Sequence, residues 1–203
     1  METVLEQKQF LHVGCGPQSK AMLKGFDAQE WQEIRLDIDP GVNPDIVGSL
    51  TDMSAVDTGS MDAVYSAHNI EHLFAHEVPL AIAEFHRVLK PNGFLLLRCP
   101  DIQSVCEAVA QDRLLEPLYT SPSGPISPID ILYGHRRFIA EGNHYMAHKV
   151  GFTYKVLAAA LFQAGFKSLF GGRVMERYEL NVLAYKQDTD ESRMKEEAGQ
   201  FIR

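Results

Sequence analysis

The run FLLLRC at residues 94–99 restricts the fold more than any other part of this sequence. It is nearly continuous in apolar residues, is of strand length, and follows KPNG at 90–93, whose Pro and Gly end a helix. A strand that is apolar on both sides needs cover on both sides, which is the situation inside a parallel sheet flanked by helices. Other short apolar runs supply its neighbours: Phe10–Val13, Ile34–Asp37, DIVGSL at 45–50 and MDAVYSA at 61–67. From His76 to Leu89 the apolar residues 78, 81, 82, 85, 88 and 89 keep helical spacing. Pro17 to Phe26 reads as a short helix, since Pro suits a first helical turn. Only Ile38 to Pro44 separates the second strand from the third, too few residues for a crossover helix, so a loop is expected there.

Beyond Cys99 the pattern changes. Ile102–Leu115 reads as a helix, and residues 117–149 as a long irregular insertion rich in Pro, Gly, aromatic residues and His. Long insertions of this kind are commonly lids or binding loops. Thr153–Ala164 is helical and ends at Gly165. FKSLFG (166–171) and ELNVLAYK (179–186) follow as an antiparallel pair of strands. Residues 1–187 thus read as a single α/β domain with a lid at about 102–150, and residues 188–203 as a charged, frayed C-terminal tail.

The chain of 203 residues has net charge −8 and pI near 5.4, which disfavours a general nucleic-acid binder. HRR at 135–137 is its only compact basic stretch. No run approaches the roughly eighteen apolar residues of a membrane span. METVLEQKQF has no signal-peptide core, and Cys15, Cys99 and Cys106 form no CxxC pair, so they read as small buried apolar residues in a reducing, cytoplasmic setting.

The first strand ends in LHVGCG. Gly14 and Gly16 let the backbone approach a ligand, and Asp37, twenty-three residues after Gly14, closes the second strand. A strand-end carboxylate at that distance accepts the hydroxyls of a ribose, so the pair points to an adenosine-containing cofactor. A nicotinamide dinucleotide and S-adenosylmethionine both qualify. The dinucleotide fingerprint calls for a third Gly where Ser19 stands.

The series LHVGCG, RLDIDP, PDIVGSL, MDAVYSAHNIEHL and FHRVLKPNGFLLLRCPD resembles the class I S-adenosylmethionine-dependent methyltransferases, in particular the group with an EHL signature after the fourth strand. The resemblance runs from about residue 10 to 101 and resumes at HKVGFTYKVLAAALFQAGF. It implies a three-layer Rossmann-like sandwich whose seven-stranded sheet is parallel except for the last strand. It implies that Gly14 and Gly16 lie along the cofactor's methionine part and ribose, that Asp37 binds the ribose and that Ile38 packs on the adenine. Ser49 and Leu50 would lie at the adenine edge, and His68 near the methionine part. Two departures are expected to weaken binding: His12, where the group often has an acid, and Ser49, where an Asp often meets the adenine amine. Asp52 is a candidate replacement for that contact.

For the chemistry, the insertion offers His135 or His148 as a base for an oxygen nucleophile, with Tyr133, Arg136, His144 and Tyr145 around them. Asp101 either faces a substrate or caps the next helix. Glu71 and His72 read as residues that hold the loop. His68, His72 and His76 would share one helix face, as metal ligands can, but no acid or cysteine completes that set, and no metal is expected. The expected function is methyl transfer from S-adenosylmethionine, yielding S-adenosylhomocysteine, to a small-molecule or sugar-like acceptor. Nucleic acid is not expected, since SAHN stands where a base N-methylating tetrapeptide would be. The alternatives are an inactive cofactor-binding regulatory or partner domain and a nicotinamide oxidoreductase. The sequence leaves the oligomeric state open, a homodimer included.

Overall fold

The computed structural model describes residues 7–202. The first six residues of METVLEQKQF, read above for a signal peptide, lie outside the described residues. In chain order the elements are β1 (Lys8–Val13), β2 (Trp31–Asp37), β3 (Ile46–Val47), β4 (Met61–Ala67), α1 (Val78–Val88), β5 (Leu89–Pro100), α2 (Ile102–Val109), a hairpin of β6 (Tyr119–Ser121) and β7 (Gly124–Ile126), α3 (Pro128–Tyr133), α4 (Arg136–Ala140), α5 (Tyr154–Gln163), β8 (Ser168–Val174), β9 (Glu179–Tyr185) and α6 (Glu191–Phe201).

Seven strands form one sheet in the order β3-β2-β1-β4-β5-β9-β8. β9 is antiparallel to both of its neighbours, and the other pairings are parallel. The sheet order reverses between β1 and β4, the switch point where open α/β sheets hold ligands beyond their carboxyl ends.

β5 feeds both layers. Leu95, Leu97 and Cys99 enter one buried cluster, with Leu11, Val13, Val64, Leu180 and Val182 from neighbouring strands. Val78, Ala81, Ile82, Phe85 and Val88 of α1 and Leu157 and Leu161 of α5 cover that face. Phe94 and Leu96 enter the opposite cluster, with Phe10, Tyr65 and Leu183. The period of two along each strand separates the two sets.

The second face is covered differently from expectation. Residues 17–26 form only a 3-10 turn, Lys20–Met22, because Gly25 sits at φ +83° and breaks the segment. Where a full helix would lie, the chain's own C-terminus docks. α6 is ordered, so the frayed tail of the sequence reading is corrected. Its Phe201 is buried, with its ring centroid 4.7 Å from that of Phe26 and 5.0 Å from that of Phe94. The Lys24 ammonium donates to the carbonyls of Gly199 and Ile202 at 2.9 and 2.6 Å, satisfying the helix's last acceptors.

The insertion is also more regular than expected. Pro128 opens α3 behind a capping box in which Ser127 and Asp130 exchange hydrogen bonds. Val105, Ile126 and Ile131 give it a small core of its own. Cys15 and Cys99 are buried, but Cys106 is exposed on α2, against expectation. Among the described residues no helix is long and apolar enough to cross a membrane.

Phe201→Ala should lower the free energy of unfolding by about 3–5 kcal/mol, read from urea denaturation. An unchanged midpoint would show that α6 contributes nothing to the second layer.

Candidate functional site

A cavity of about 830 Å³ opens at the carboxyl ends of β1, β2, β3 and β4. Gly14, Gly16, Asp37, Ile38, Ser49, Leu50 and His68 all line it. The first loop takes its shape from its neighbours. Gly14 N–H donates to the Leu36 carbonyl at 2.8 Å, and Gly14 is held at φ +61°. A side chain there would collide with the amide of Asn69. That amide spans the ends of β1 and β4 by donating to the carbonyls of Val13 and Ala67 at 2.8 and 3.0 Å. Gly16, at φ +51°, faces open space.

Asp37 clamps this loop to β2. One carboxylate oxygen accepts from Gly16 N–H at 2.8 Å and the other from Asp39 N–H at 2.9 Å. Each oxygen keeps a further lone pair for a ligand. Arg35 supports the loop from behind, donating to the carbonyls of Gly16 and Gln18 at 2.6 and 3.2 Å. Next to the clamp, Ile38 is 50% exposed, an apolar surface at the rim of a polar loop. These features fit an adenosine group: a bare backbone cradle at Gly16, an acceptor pair at Asp37 and an apolar face at Ile38.

His12 is buried, with Nδ1 2.7 Å from a Glu33 oxygen. Burial lowers its pKa, and Glu33 only partly opposes this. A neutral His12 ring therefore lies where the resemblance had an acid. Ser49 is engaged with Thr51, their hydroxyl oxygens being 2.9 Å apart. Asp52 is exposed and does not line the cavity; the Ser54 side chain, and then the Ser54 backbone N–H at 3.1 Å, lower its pKa. It is therefore not placed to replace an adenine contact.

His68 stands at the end of β4 in left-handed backbone, at φ +56°, an uncommon state for a residue other than glycine. Its Nε2 lies 3.0 Å from Glu179, and its Nδ1 lies 3.5 Å from Glu71. Crowding by protein atoms would lower its pKa, but the Glu179 and Glu71 carboxylates outweigh this and hold it up to about 9. The ring is surrounded by protein yet half open to the cavity, so it presents an imidazolium there. Arg98 completes the chain with a bidentate contact to the buried Glu179, Nε to Oε1 and Nη2 to Oε2, both at 2.9 Å. Sequence reasoning missed Arg35, Asn69, Arg98 and Glu179. Arg98 alone left a signal, as the single charge inside FLLLRC.

The insertion contributes Asn143, Tyr145 and Met146 to the cavity. His135 does not line it. Its ring packs on Phe138 at 4.6 Å, and neither of its nitrogens has a hydrogen-bond partner. His148 does not line the cavity either, and its Nδ1 donates to the Ile131 carbonyl at 2.7 Å. Neither base candidate lines this cavity. Asp101 resolves as a cap: its carboxylate accepts from Gln103 N–H at 3.1 Å and pairs with Arg173 at 2.6 Å. Arg136 of the basic stretch is committed to Asp130 at 2.7 Å.

Residues 11–97 match the family model described as a methyltransferase domain. That match runs from within β1 to within β5. Solved structures share its fold. One is 1,6-didemethyltoxoflavin-N1-methyltransferase of Burkholderia thailandensis, with bound 1,6-didemethyltoxoflavin and S-adenosylhomocysteine. It is 16% identical, with a TM-score of 0.58 over 90% of this chain and 72% of that one. Another is a putative S-adenosylmethionine-dependent methyltransferase of Listeria monocytogenes, 15% identical, with a TM-score of 0.57 over 91% and 92%. A third is the CMeT domain of the citrinin polyketide synthase, 13% identical with a TM-score of 0.59; this chain aligns over 92% of its own length but spans about half of that structure, 48%. Comparison with curated proteins gives no match.

The buried environment of Cys15 pushes its thiol up to about 11. A thiol with a raised pKa stays protonated below that value and reacts slowly. At pH 8, alkylation of the native protein should therefore modify Cys106 first and leave Cys15 and Cys99 intact, as read by peptide mass mapping. Rapid labelling of Cys15 would show that the loop opens.

Proposed function

We propose that this domain transfers a methyl group from S-adenosylmethionine to a small-molecule or sugar-like acceptor. The observation that carries the reading is the Asp37 clamp. One carboxylate fixes the Gly16 loop, borders an 830 Å³ cavity and stands beside exposed Ile38. Asp37 would hold the ribose hydroxyls, Ile38 the adenine face, Ser49 and Leu50 its edge, and Gly14 and Gly16 the methionine side. His68, as an imidazolium, would face the cofactor's carboxylate. A neutral His12 does not repel the cofactor's ammonium group, so the departure at this position is compatible with binding.

The bound cofactor supplies a methyl group already activated by its sulfonium. The protein's work is then to align a nucleophile with that methyl and to keep water out. Asn143, Tyr145 and Met146 would wall the acceptor side, with His72 and Lys149 also in the lining. The solved toxoflavin-precursor enzyme is a precedent for a small heterocyclic acceptor on this fold. The cavity's mixed lining suits an acceptor of that size better than a polymer.

Calorimetric titration should give binding of S-adenosylmethionine and S-adenosylhomocysteine in the micromolar range, about −8 kcal/mol. Asp37→Asn should weaken both at least tenfold, because one of its two backbone partners then meets an N–H group. Ile38 makes no bond to the loop, so Ile38→Ala tests the ligand contact alone and should cost about 1 kcal/mol. Wild-type affinity in both variants would sink the assignment. Tight binding without S-adenosylhomocysteine formation across small-molecule and sugar acceptors would favour the regulatory reading.

A further inference from the structure

The sequence suggested no metal site because His68, His72 and His76 lacked a completing acid. The fold separates those three. His68 follows β4, His72 closes the 3-10 turn Ile70–His72, and His76 is exposed between that turn and α1. It assembles a different set: the carboxylate of Glu71 and the imidazoles of His72 and His148, whose ligand atoms all lie within 4.8 Å of one another. We propose that Glu71, His72 and His148 form a binding site for one divalent transition-metal ion at the edge of the cavity.

Three observations carry this. Glu71 is 1% exposed, yet neither of its carboxylate oxygens accepts a hydrogen bond. Its nearest cation, His68 Nδ1, is 3.5 Å away, an ion pair without hydrogen-bond geometry. The His68 imidazolium offsets its charge, but a buried carboxylate whose two oxygens receive no hydrogen bond is still costly, and a coordinated cation would satisfy them.

Both histidines are fixed in the form a metal needs. His72 Nδ1 lies 3.2 Å from the Ala147 carbonyl, and His148 Nδ1 lies 2.7 Å from the Ile131 carbonyl. A carbonyl only accepts, so each Nδ1 carries the hydrogen. In the neutral ring this leaves the Nε2 lone pair as the ligand atom. A ring N–H donated to a backbone carbonyl is the usual way a protein orients a metal-binding histidine.

The backbone also holds the three together. Lys149 N–H and Val150 N–H donate to the Glu71 carbonyl at 2.8 and 3.3 Å, and His148 N–H donates to Tyr133 at 3.2 Å. Gly134 and Ala147 form a bridge on the other side. The segment carrying His148 is thereby laced to α3 and to the turn carrying Glu71 and His72.

Two imidazole nitrogens and one carboxylate oxygen suit zinc, manganese, cobalt or iron(II), and three protein ligands leave positions open. His72 lines the cavity, so an ion held by it would lie at the cavity's edge. If the methyl-transfer reading holds, the ligand for an open position is an acceptor bearing a hydroxyl group, which the ion would orient and polarise. The metal site itself does not depend on that reading.

The test uses the whole chain, stripped with a chelator and titrated with Co²⁺ and Zn²⁺ in the absence of cofactor. The expected result is one equivalent bound at micromolar affinity or tighter, with visible Co²⁺ absorption. Glu71→Gln and His148→Gln should each weaken binding at least tenfold, and His76→Gln should leave it unchanged. Unfolding curves of the stripped variants identify any that fail to fold; the partly exposed His148 position keeps the test alive if the buried Glu71 position does not tolerate change. No binding below about 1 mM, or equal binding in His148→Gln and wild type, would overturn the proposal. Since the readout is metal alone, its failure leaves the methyltransferase reading standing, and failure of cofactor binding leaves the metal site standing.

Discussion

The need to cover β5 on both faces governs the rest of the molecule. Leu95, Leu97 and Cys99 look one way and Phe94 and Leu96 the other, and all are buried. Such a strand cannot sit at an edge or under a single layer. It takes β4 on one side and β9 on the other, and two helical layers close over it. Polar chemistry is then excluded from the middle of the sheet and emerges where the strands end. That is why Gly14, Asp37, Ser49 and His68 meet, though they lie on four separate segments of chain.

The same constraint makes the charges beneath the cavity expensive. Arg98 of β5 reaches diagonally across the β5–β9 pairing to Glu179, which lies opposite Pro100. Burial of such a pair costs desolvation energy that the mutual attraction only partly offsets, so its presence is weak evidence for stability. Its effect is on the site. Glu179 shares its carboxylate between Arg98 and His68, and this keeps the His68 ring charged at the cavity wall. A chain of paired charges thus runs from the buried interior of the sheet to the His68 imidazolium at the cavity surface.

Much of this was legible in the sequence where local pattern and tertiary demand agree. The α1 positions 78, 81, 82, 85 and 88 are all buried, as their spacing implied, and so is Leu89, which the same spacing included but which opens β5. The seven residues expected along the cofactor all line one cavity, because strand ends in a parallel sheet converge whatever their sequence separation. α6 was not legible. ESRMKEEAGQF is mostly charged, and its docking depends on the groove left when Gly25 breaks the preceding segment. His135 was misleading for a related reason: composition placed it in the insertion but could not show that its ring turns to Phe138 and away from the cavity.

His148 shows the limit most clearly. Along the chain it is one of several histidines in a polar, proline-rich stretch, and nothing local distinguishes it from His135 or His144. Its position is decided by backbone hydrogen bonds at its neighbours: Lys149 and Val150 to the Glu71 carbonyl, Ala147 to His144 and His72. Those bonds exist because an inserted segment with its own small core is laid against the turn after β4. Methyl transfer asks for little acid–base machinery, so the fold that binds the cofactor need carry no chemical signature for the acceptor. On the methyl-transfer reading proposed above, acceptor selection falls to the seam where the insertion meets the sheet edge, and Glu71, His72 and His148 are gathered at that seam.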